Sequence, residues 1–332
     1  MTDAIQHVVR AADAAIAKAY LKLFRERNAL ICFLFHSLSR DESEIAQNLV
    51  DPLQGTMVAQ FRQFIEYYLE NGYRFVSPGE LLQGLSPDGK YALITFDDGY
   101  YNNAMARPIL EEYRVPAAFF ISTNHVRENK CFWWDALYRE RTAQGASHHR
   151  IKAEAVALKS MTTAQIEAQL LADFGPDTLR PRGDIDRPFT PDELREFARS
   201  PQVHLGNHTA DHAILTNYAP EQVRRQVAEC QDALAEMTGV RPSAIAYPNG
   251  ANNSAVVQTC REIGLKVGFT IRPEKVSLPV GPGSDGILRL GRFCPHGEGP
   301  ILKQCRTYRS DLLLYGVFRD GYLRLRRGQT AQ

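Results

Sequence analysis

The strongest constraint on the fold is an alternation of short uninterrupted apolar runs with longer segments whose apolar residues recur at three and four. The runs Ala29–Phe35, Arg74–Val76, Tyr91–Phe96, Ala117–Ile121, Gln202–Leu205, Ala244–Tyr247, Val267–Ile271 and Gly286–Phe293 read as strands. Runs with no polar alternation suit strands covered on both faces. Helices are predicted over 51–71, 103–113, 192–199, 221–237 and 255–263. In the first of these Met57, Phe61, Phe64, Ile65, Tyr68 and Leu69 share a stripe, and Asn71-Gly72 supplies the stop. The pattern predicts an α/β fold around a parallel sheet, open or closed into a barrel. With 332 residues, 44% of them hydrophobic, the chain can bury a large core.

Three regions depart from the alternation. Residues 1–28 read as an N-terminal amphipathic helix with charges scattered through it, and lack the continuous apolar core of a secretory leader. Residues 128–187 read as a partly helical insertion, helical over 151–171, within a core unit spanning 29–298. Residues 299–332 form a tail in which apolar and basic residues mix over 308–327; packing on the barrel is the leading expectation, contact with an anionic membrane the second. No run approaches the ~20 apolar residues that span a bilayer. Lys+Arg 39 against Asp+Glu 38 leaves a net charge of +1, so no field of one sign points to nucleic acid. Six dispersed cysteines without a CxxC pair fit reduced thiols in a cytoplasm.

In parallel α/β folds the reactive groups collect where the strands end. His36 ends the first apolar run, Asp97 and Asp98 the third, and Tyr247-Pro248-Asn249 another; His208 and His212 follow Gln202–Asn207. Taken singly these are bland. Asp-Asp-Gly is an ordinary turn, and histidines often cap or sit at surfaces. Together on one rim they describe a carboxylate and two imidazoles around a divalent cation, beside a spare carboxylate. The two imidazoles, four apart, turn toward one point if the segment starts a helical turn. Zinc suits such a set, with a fourth position left for water, although other divalent ions accept the same donors.

Thr95-Phe-Asp-Asp-Gly99 and His208-Thr-Ala-Asp-His212 resemble, in order and spacing, the first two motifs of the polysaccharide deacetylases, the NodB-homology or carbohydrate esterase family 4 proteins. The resemblance runs from about Leu30 to Phe293. It implies a distorted (β/α)7 barrel, metal-dependent removal of N-acetyl groups from amino sugars, Asp97 as general base, and Asp98, His208 and His212 as metal ligands. The family's third motif, Arg-x-Pro-Tyr-Gly, is matched here by Ala246-Tyr-Pro-Asn-Gly250, which lacks the arginine that orients the base. Arg292 is the candidate replacement and Arg289 its rival. The Asn249 N–H takes the oxyanion-donor role. A late Leu-x-His motif is absent, and His296 is a weak substitute. His36, in Phe-Leu-Phe-His-Ser37, resembles the first-strand histidine that serves as acid in the circularly permuted poly-N-acetylglucosamine deacetylase branch. Tyr247 and Pro248 read as substrate wall or core. Trp134, from Cys131-Phe-Trp-Trp-Asp135, reads as sugar platform or core anchor. Asn124 faces the cleft if its strand end does.

The expected function is therefore hydrolysis of an N-acyl group, N-acetyl first and N-formyl as a variant, from an amino sugar in glycan or surface-polysaccharide biosynthesis. The absence of an export signal places the substrate in the cytoplasm or at the inner membrane face, as a lipid-linked or nucleotide-linked sugar. A non-catalytic metal-containing carbohydrate-binding protein and a closed structural metal site are the rivals. The sequence carries no signal for oligomeric state.

Overall fold

In a computed structural model, residues 3–52, 55–284, 286–297 and 299–313 are described. The chain opens with α1 (Asp3–Leu23) and β1 (Leu30–Phe35), then pairs β2 (Ser37–Ser39) with β3 (Gly55–Met57) around α2 (Glu42–Ile45). Next come α3 (Val58–Glu70), β4 (Arg74–Phe75), α4 (Pro78–Leu81), β5 (Tyr91–Phe96), α5 (Arg107–Tyr113) and β6 (Ala117–Ile121). Five helices, α6 (Thr123–Glu128), α7 (Trp133–Ala143), α8 (His148–Leu158), α9 (Thr163–Phe174) and α10 (Pro191–Phe197), precede β7 (Val203–Asn207). The run ends with α11 (Pro220–Thr238), β8 (Ala244–Ala246), α12 (Ser254–Glu262), β9 (Val267–Phe269) and α13 (Ile301–Arg309).

The main sheet has the order β1-β5-β6-β7-β8-β9, with β4 also on β5, and every pairing is parallel. All residues of β1, β5 and β6 are buried, as continuous apolar runs require when both faces are covered. The sheet curls into a barrel-like layer with helices around it. Its outer strands are spanned by Leu290–Phe293. Leu290 bridges Phe269 of β9, and Phe293 bridges Phe33 of β1. The hydrogen bonds Leu290 N–H to Gly268 O (2.8 Å) and Phe293 N–H to Cys32 O (2.9 Å) hold the two ends.

The strand expected over 286–293 is thus only partly realised. Its first half is a 3₁₀ turn, Ile287–Arg289, entered through Gly286 at φ 84°. Gly291 is required by close approach, since a Cβ there would lie 2.3 Å from the Arg272 carbonyl oxygen. The helix expected from residue 51 begins at Val58, because Gly55–Met57 pair with Ser37–Ser39; strands this short and polar carry no apolar-run signal.

On α3, Phe61, Phe64, Ile65 and Tyr68 face the sheet. Phe64 meets Phe33 and Phe35 edge-on, at ring distances of 4.7 and 5.1 Å, so its loss to alanine should cost about 3–5 kcal/mol. The helices α7, α8 and α9 bury a cluster of their own, including Trp133, Leu137, Ile151, Ile166 and Leu170. The single helix expected over 151–171 divides because the Thr162 side chain caps α9, with Gln165 reaching back to close a capping box. In the described part of the tail α13 packs on α1 and α3. Residues 314–332, and with them most of the segment considered for membrane contact, lie outside the described residues. Among the described residues no helix is long and apolar enough to cross a membrane.

Candidate active site

The end of β5 carries both aspartates, and their surroundings differ. Asp97 is almost fully buried and receives Arg292 in a two-pronged pair, Nη1 to Oδ1 at 2.7 Å and Nη2 to Oδ2 at 2.8 Å. Arg292 is itself 1% exposed. It also donates from Nη1 to Thr95 Oγ1 (2.8 Å) and from Nε to the Thr270 carbonyl (2.9 Å). Burial alone would raise the Asp97 pKa, but Arg292 and then His208 outweigh it and hold the carboxyl below its ordinary value. Arg289 is exposed and donates to Asn252 Oδ1, so the cation facing Asp97 is Arg292.

Asp98 adopts φ 76° and is followed by Gly99 at φ 93°, a left-handed pair that turns the chain sharply. Asp98 Oδ1 lies 3.3 Å from Nε2 of both His208 and His212. The ligand atoms of all three residues fall within 4.8 Å of one another. The histidines do not converge through a helical turn, as their spacing predicts. The loop is left-handed at Thr209 (φ 65°) and His212 (φ 51°). Side chains replace the missing helix bonds: Asn207 Oδ1 accepts from Thr209 N–H (2.9 Å), and Thr209 Oγ1 accepts from Ala213 N–H (2.7 Å).

Protonation states favour a cation here. His208 Nδ1 lies 2.8 Å from the Ala246 carbonyl, which accepts only if Nδ1 carries the proton; neutral His208 then presents its Nε2 lone pair to Asp98. His212 is held well below the usual histidine range by burial first, then by His208, His125 and Lys159. Burial opposes charge on His208, yet Asp97 and then Asp98 raise its pKa. Buried Asp98 Oδ2 has no hydrogen-bond partner among the described residues, and neither does His212 Nδ1. An orphaned carboxylate oxygen beside two imidazoles is a donor set that a divalent ion satisfies.

The remaining candidates separate clearly. His36 is half-buried; burial lowers its pKa, and the charges of Asp98 and Asp97 offset this only in part. Asn249 is exposed at φ 55°, and its turn is closed by the N–H groups of Gly250 and Ala251, so these bonds do not use its own N–H. Trp134 sits with its ring 4.5 Å from that of His212 and 4.8 Å from that of Phe132. Asn124 donates to Asp211 Oδ1 (2.7 Å) and so braces the loop that carries His212. Tyr247 and Pro248 are buried, Tyr247 at 0% exposure in a core cluster with Val256 and Cys260. Of the two readings the sequence left open for Tyr247, core is the one its position fits. His296 is tied through its backbone to Gln304 in the loop before α13.

Sequence reasoning missed three contributors. Tyr100 donates to buried Asp135 Oδ2 (2.6 Å) and accepts from Trp134 Nε1 (2.9 Å), joining the Asp-Asp-Gly turn to α7. Burial, more than any neighbour, pushes the Asp135 pKa well above the carboxylate range. Lys159, at the end of α8, donates to Asn249 Oδ1 at 2.9 Å. Tyr100 directly follows the Asp-Asp-Gly motif and Asp135 ends the Trp-Trp pair, the one signal that could have linked them. Lys159 offers none.

The chain is similar to known proteins in sequence and in fold. The polysaccharide deacetylase family signature matches residues 84–268. YxkH of Bacillus subtilis (strain 168), named as a polysaccharide deacetylase, is 22% identical over 223 residues, covering 66% of this chain and 59% of that protein. The chain thus spans well under two thirds of that relative's length. Among solved structures, the Streptococcus pyogenes deacetylase PplD in complex with acetate matches with a TM-score of 0.58 at 19% identity, over 85% of this chain and 99% of that one. IcaB from Ammonifex degensii matches with a TM-score of 0.57 at 17% identity, over 86% and 99%.

Proposed function

The chain belongs to the polysaccharide deacetylase family, and from that premise we propose that it is a metal-dependent hydrolase removing an N-acetyl group from an amino sugar during glycan or surface-polysaccharide biosynthesis. The observation that carries the proposal is the pairing of two unlike carboxylates, Asp98 orphaned between His208 and His212 and Asp97 locked onto Arg292. A binding protein has no use for a buried carboxylate kept charged and aimed at a metal site. That arrangement favours turnover over carbohydrate binding alone.

Asp98, His208 and His212 would hold a divalent ion, zinc by the donor set, which when bound would supply a Lewis acid and a water acidic enough to lose a proton near neutral pH. Asp97 takes that proton. Arg292 keeps Asp97 ionised and fixes both of its oxygens, so the base does not rotate away between cycles. Water oxygen bonds to the acyl carbon, and the Asn249 N–H donates to the resulting oxyanion. As the C–N bond breaks, His36 gives its proton to the departing nitrogen, leaving acetate and a free amine. Trp134 and Asn124 keep partial exposure, and Trp134 is the better sugar-facing surface because the Asn124 amide is committed to Asp211. A lipid-linked or nucleotide-linked sugar is the substrate form this reading favours.

The test is release of acetate, with formate followed in parallel, from N-acyl hexosamines and their oligomers by zinc-loaded protein. Acetate release abolished by chelation and restored by metal supports the reading. Metal-independent release, or none from any N-acyl sugar, overturns it.

A further inference from the structure

Lysines drawn into the fold are matched with carboxylates, with one exception. Lys90 pairs with Glu26 (3.3 Å), Lys130 with Glu128 and Glu167 (both 3.1 Å), and Lys275 with Asp311 (2.7 Å). Lys159 is half-buried and pairs with no carboxylate among the described residues; its ammonium donates to the neutral amide oxygen of Asn249. Its position is built. Asn217 Nδ2 donates to the carbonyls of Lys159 and Met161, each at 2.9 Å, and the Thr163 N–H donates to the Tyr218 hydroxyl (2.8 Å). These bonds fasten the α8–α9 corner to the chain just beyond the His208–His212 loop.

The ammonium also lies within electrostatic reach of the metal ligands. Burial lowers its pKa while Asp98 raises it, and its charge is among the influences that keep His212 neutral. As a mere latch to Asn249, a lysine is a poor choice, because partly desolvating an ammonium against an amide gives back less than a carboxylate would. Arg292 is neutralised by Asp97. With a divalent ion on the single carboxylate of Asp98, the mouth of the site keeps a surplus of positive charge.

We infer that Lys159 forms an anion subsite beside the catalytic groups, taking a phosphoryl or carboxylate substituent carried by the acylated sugar, while Asn249 Oδ1 parks the ammonium when no substrate is present. The inference rests on the deacetylase reading and narrows its substrate class to anionic sugars. Lysine suits the task as a point charge that accepts either anion.

The experiment compares zinc-loaded wild type, Lys159→Met and Lys159→Arg on N-acetylglucosamine, its 1-phosphate, and N-acetylmuramic acid, reading kcat/KM from acetate release. The wild type should favour the anionic sugars by about tenfold, the order expected of one charge-assisted hydrogen bond. That ratio should fall to about one in Lys159→Met, persist in Lys159→Arg, and shrink with added salt. A preference for the 1-phosphate alone assigns the anion to phosphoryl, and one for N-acetylmuramic acid alone to carboxylate. Equal loss on all three sugars, as a structural latch predicts, or no anion preference in the wild type, overturns the inference. A second measurement needs no turnover: calorimetric binding of the 1-phosphate to Asp97→Asn should weaken about tenfold when Lys159→Met is added. Were no acetate released from any sugar, the deacetylase reading would fall, and the calorimetry alone would decide the subsite, with unchanged affinity overturning it.

Discussion

Asp97 and Asp98 are neighbours in the chain with opposite circumstances. Both oxygens of Asp97 are engaged by Arg292, which also donates to Thr95 and Thr270. Asp98 faces two imidazoles at 3.3 Å and keeps a buried oxygen without a partner. Burial is common to both, so burial does not distinguish them; what separates them is whether the protein completes the hydrogen bonding. Where it does, the carboxylate is a fixed, charged tool. Where it does not, a carboxylate oxygen is left beside two imidazoles, a donor set that a divalent ion satisfies.

Removing the tool gives the largest expected effect. Asp97→Asn should lower kcat by about 10²–10⁴ while the protein keeps its metal, checked by acetate release alongside elemental analysis; turnover near wild type would break the contrast. Arg292→Met converts Asp97 into a second unpaired carboxylate. It should destabilise the fold by about 3–5 kcal/mol, read from the urea midpoint, and a midpoint unchanged from wild type would show that Asp97 has another partner.

Asp98→Asn probes the other side. Zinc at about 100 times its dissociation constant should stabilise the wild type by about 2.7 kcal/mol and the variant by far less. Equal stabilisation would move the ion elsewhere. The smallest effect uses a paired carboxylate remote from the site. Burial would raise the Glu26 pKa, but Arg309, Tyr73 and Lys90 hold it below the ordinary value. Its contribution is therefore present above the ordinary glutamate range and is lost as pH falls through the lowered value. Glu26→Gln should flatten the acid limb of stability below the ordinary glutamate range, followed by denaturant unfolding at each pH; an unaltered limb would refute the assignment.

Legibility followed locality. The strands β5 and β6 could be placed from their apolar runs, and the strand-end rule brought Asp97, Asp98, His208 and His212 onto one rim before any coordinates. The convergence of the two histidines was legible, but its cause was not, because positive φ at Thr209 and His212 depends on side-chain bonds from Asn207 and Thr209 that no periodicity encodes. Arg292 could be named as a candidate, yet choosing it over Arg289 required the fold to set one arginine inside the sheet and the other at the surface. The Tyr100–Asp135 bond and the Lys159–Asn249 contact join residues 35 and 90 positions apart, beyond the reach of spacing arguments. The pairing of Ser37–Ser39 with Gly55–Met57 was invisible for another reason: each strand is three residues long with a single large apolar side chain, too little to leave a hydrophobic run.

The span Leu290–Phe293 gives this division an order in time. During synthesis, the Asp98, His208 and His212 positions leave the ribosome some eighty residues or more before Arg292. Arg292 arrives only with the piece that ties β9 back to β1, so the counter-charge of Asp97 and the seam that joins the two edges of the sheet are delivered by one short segment.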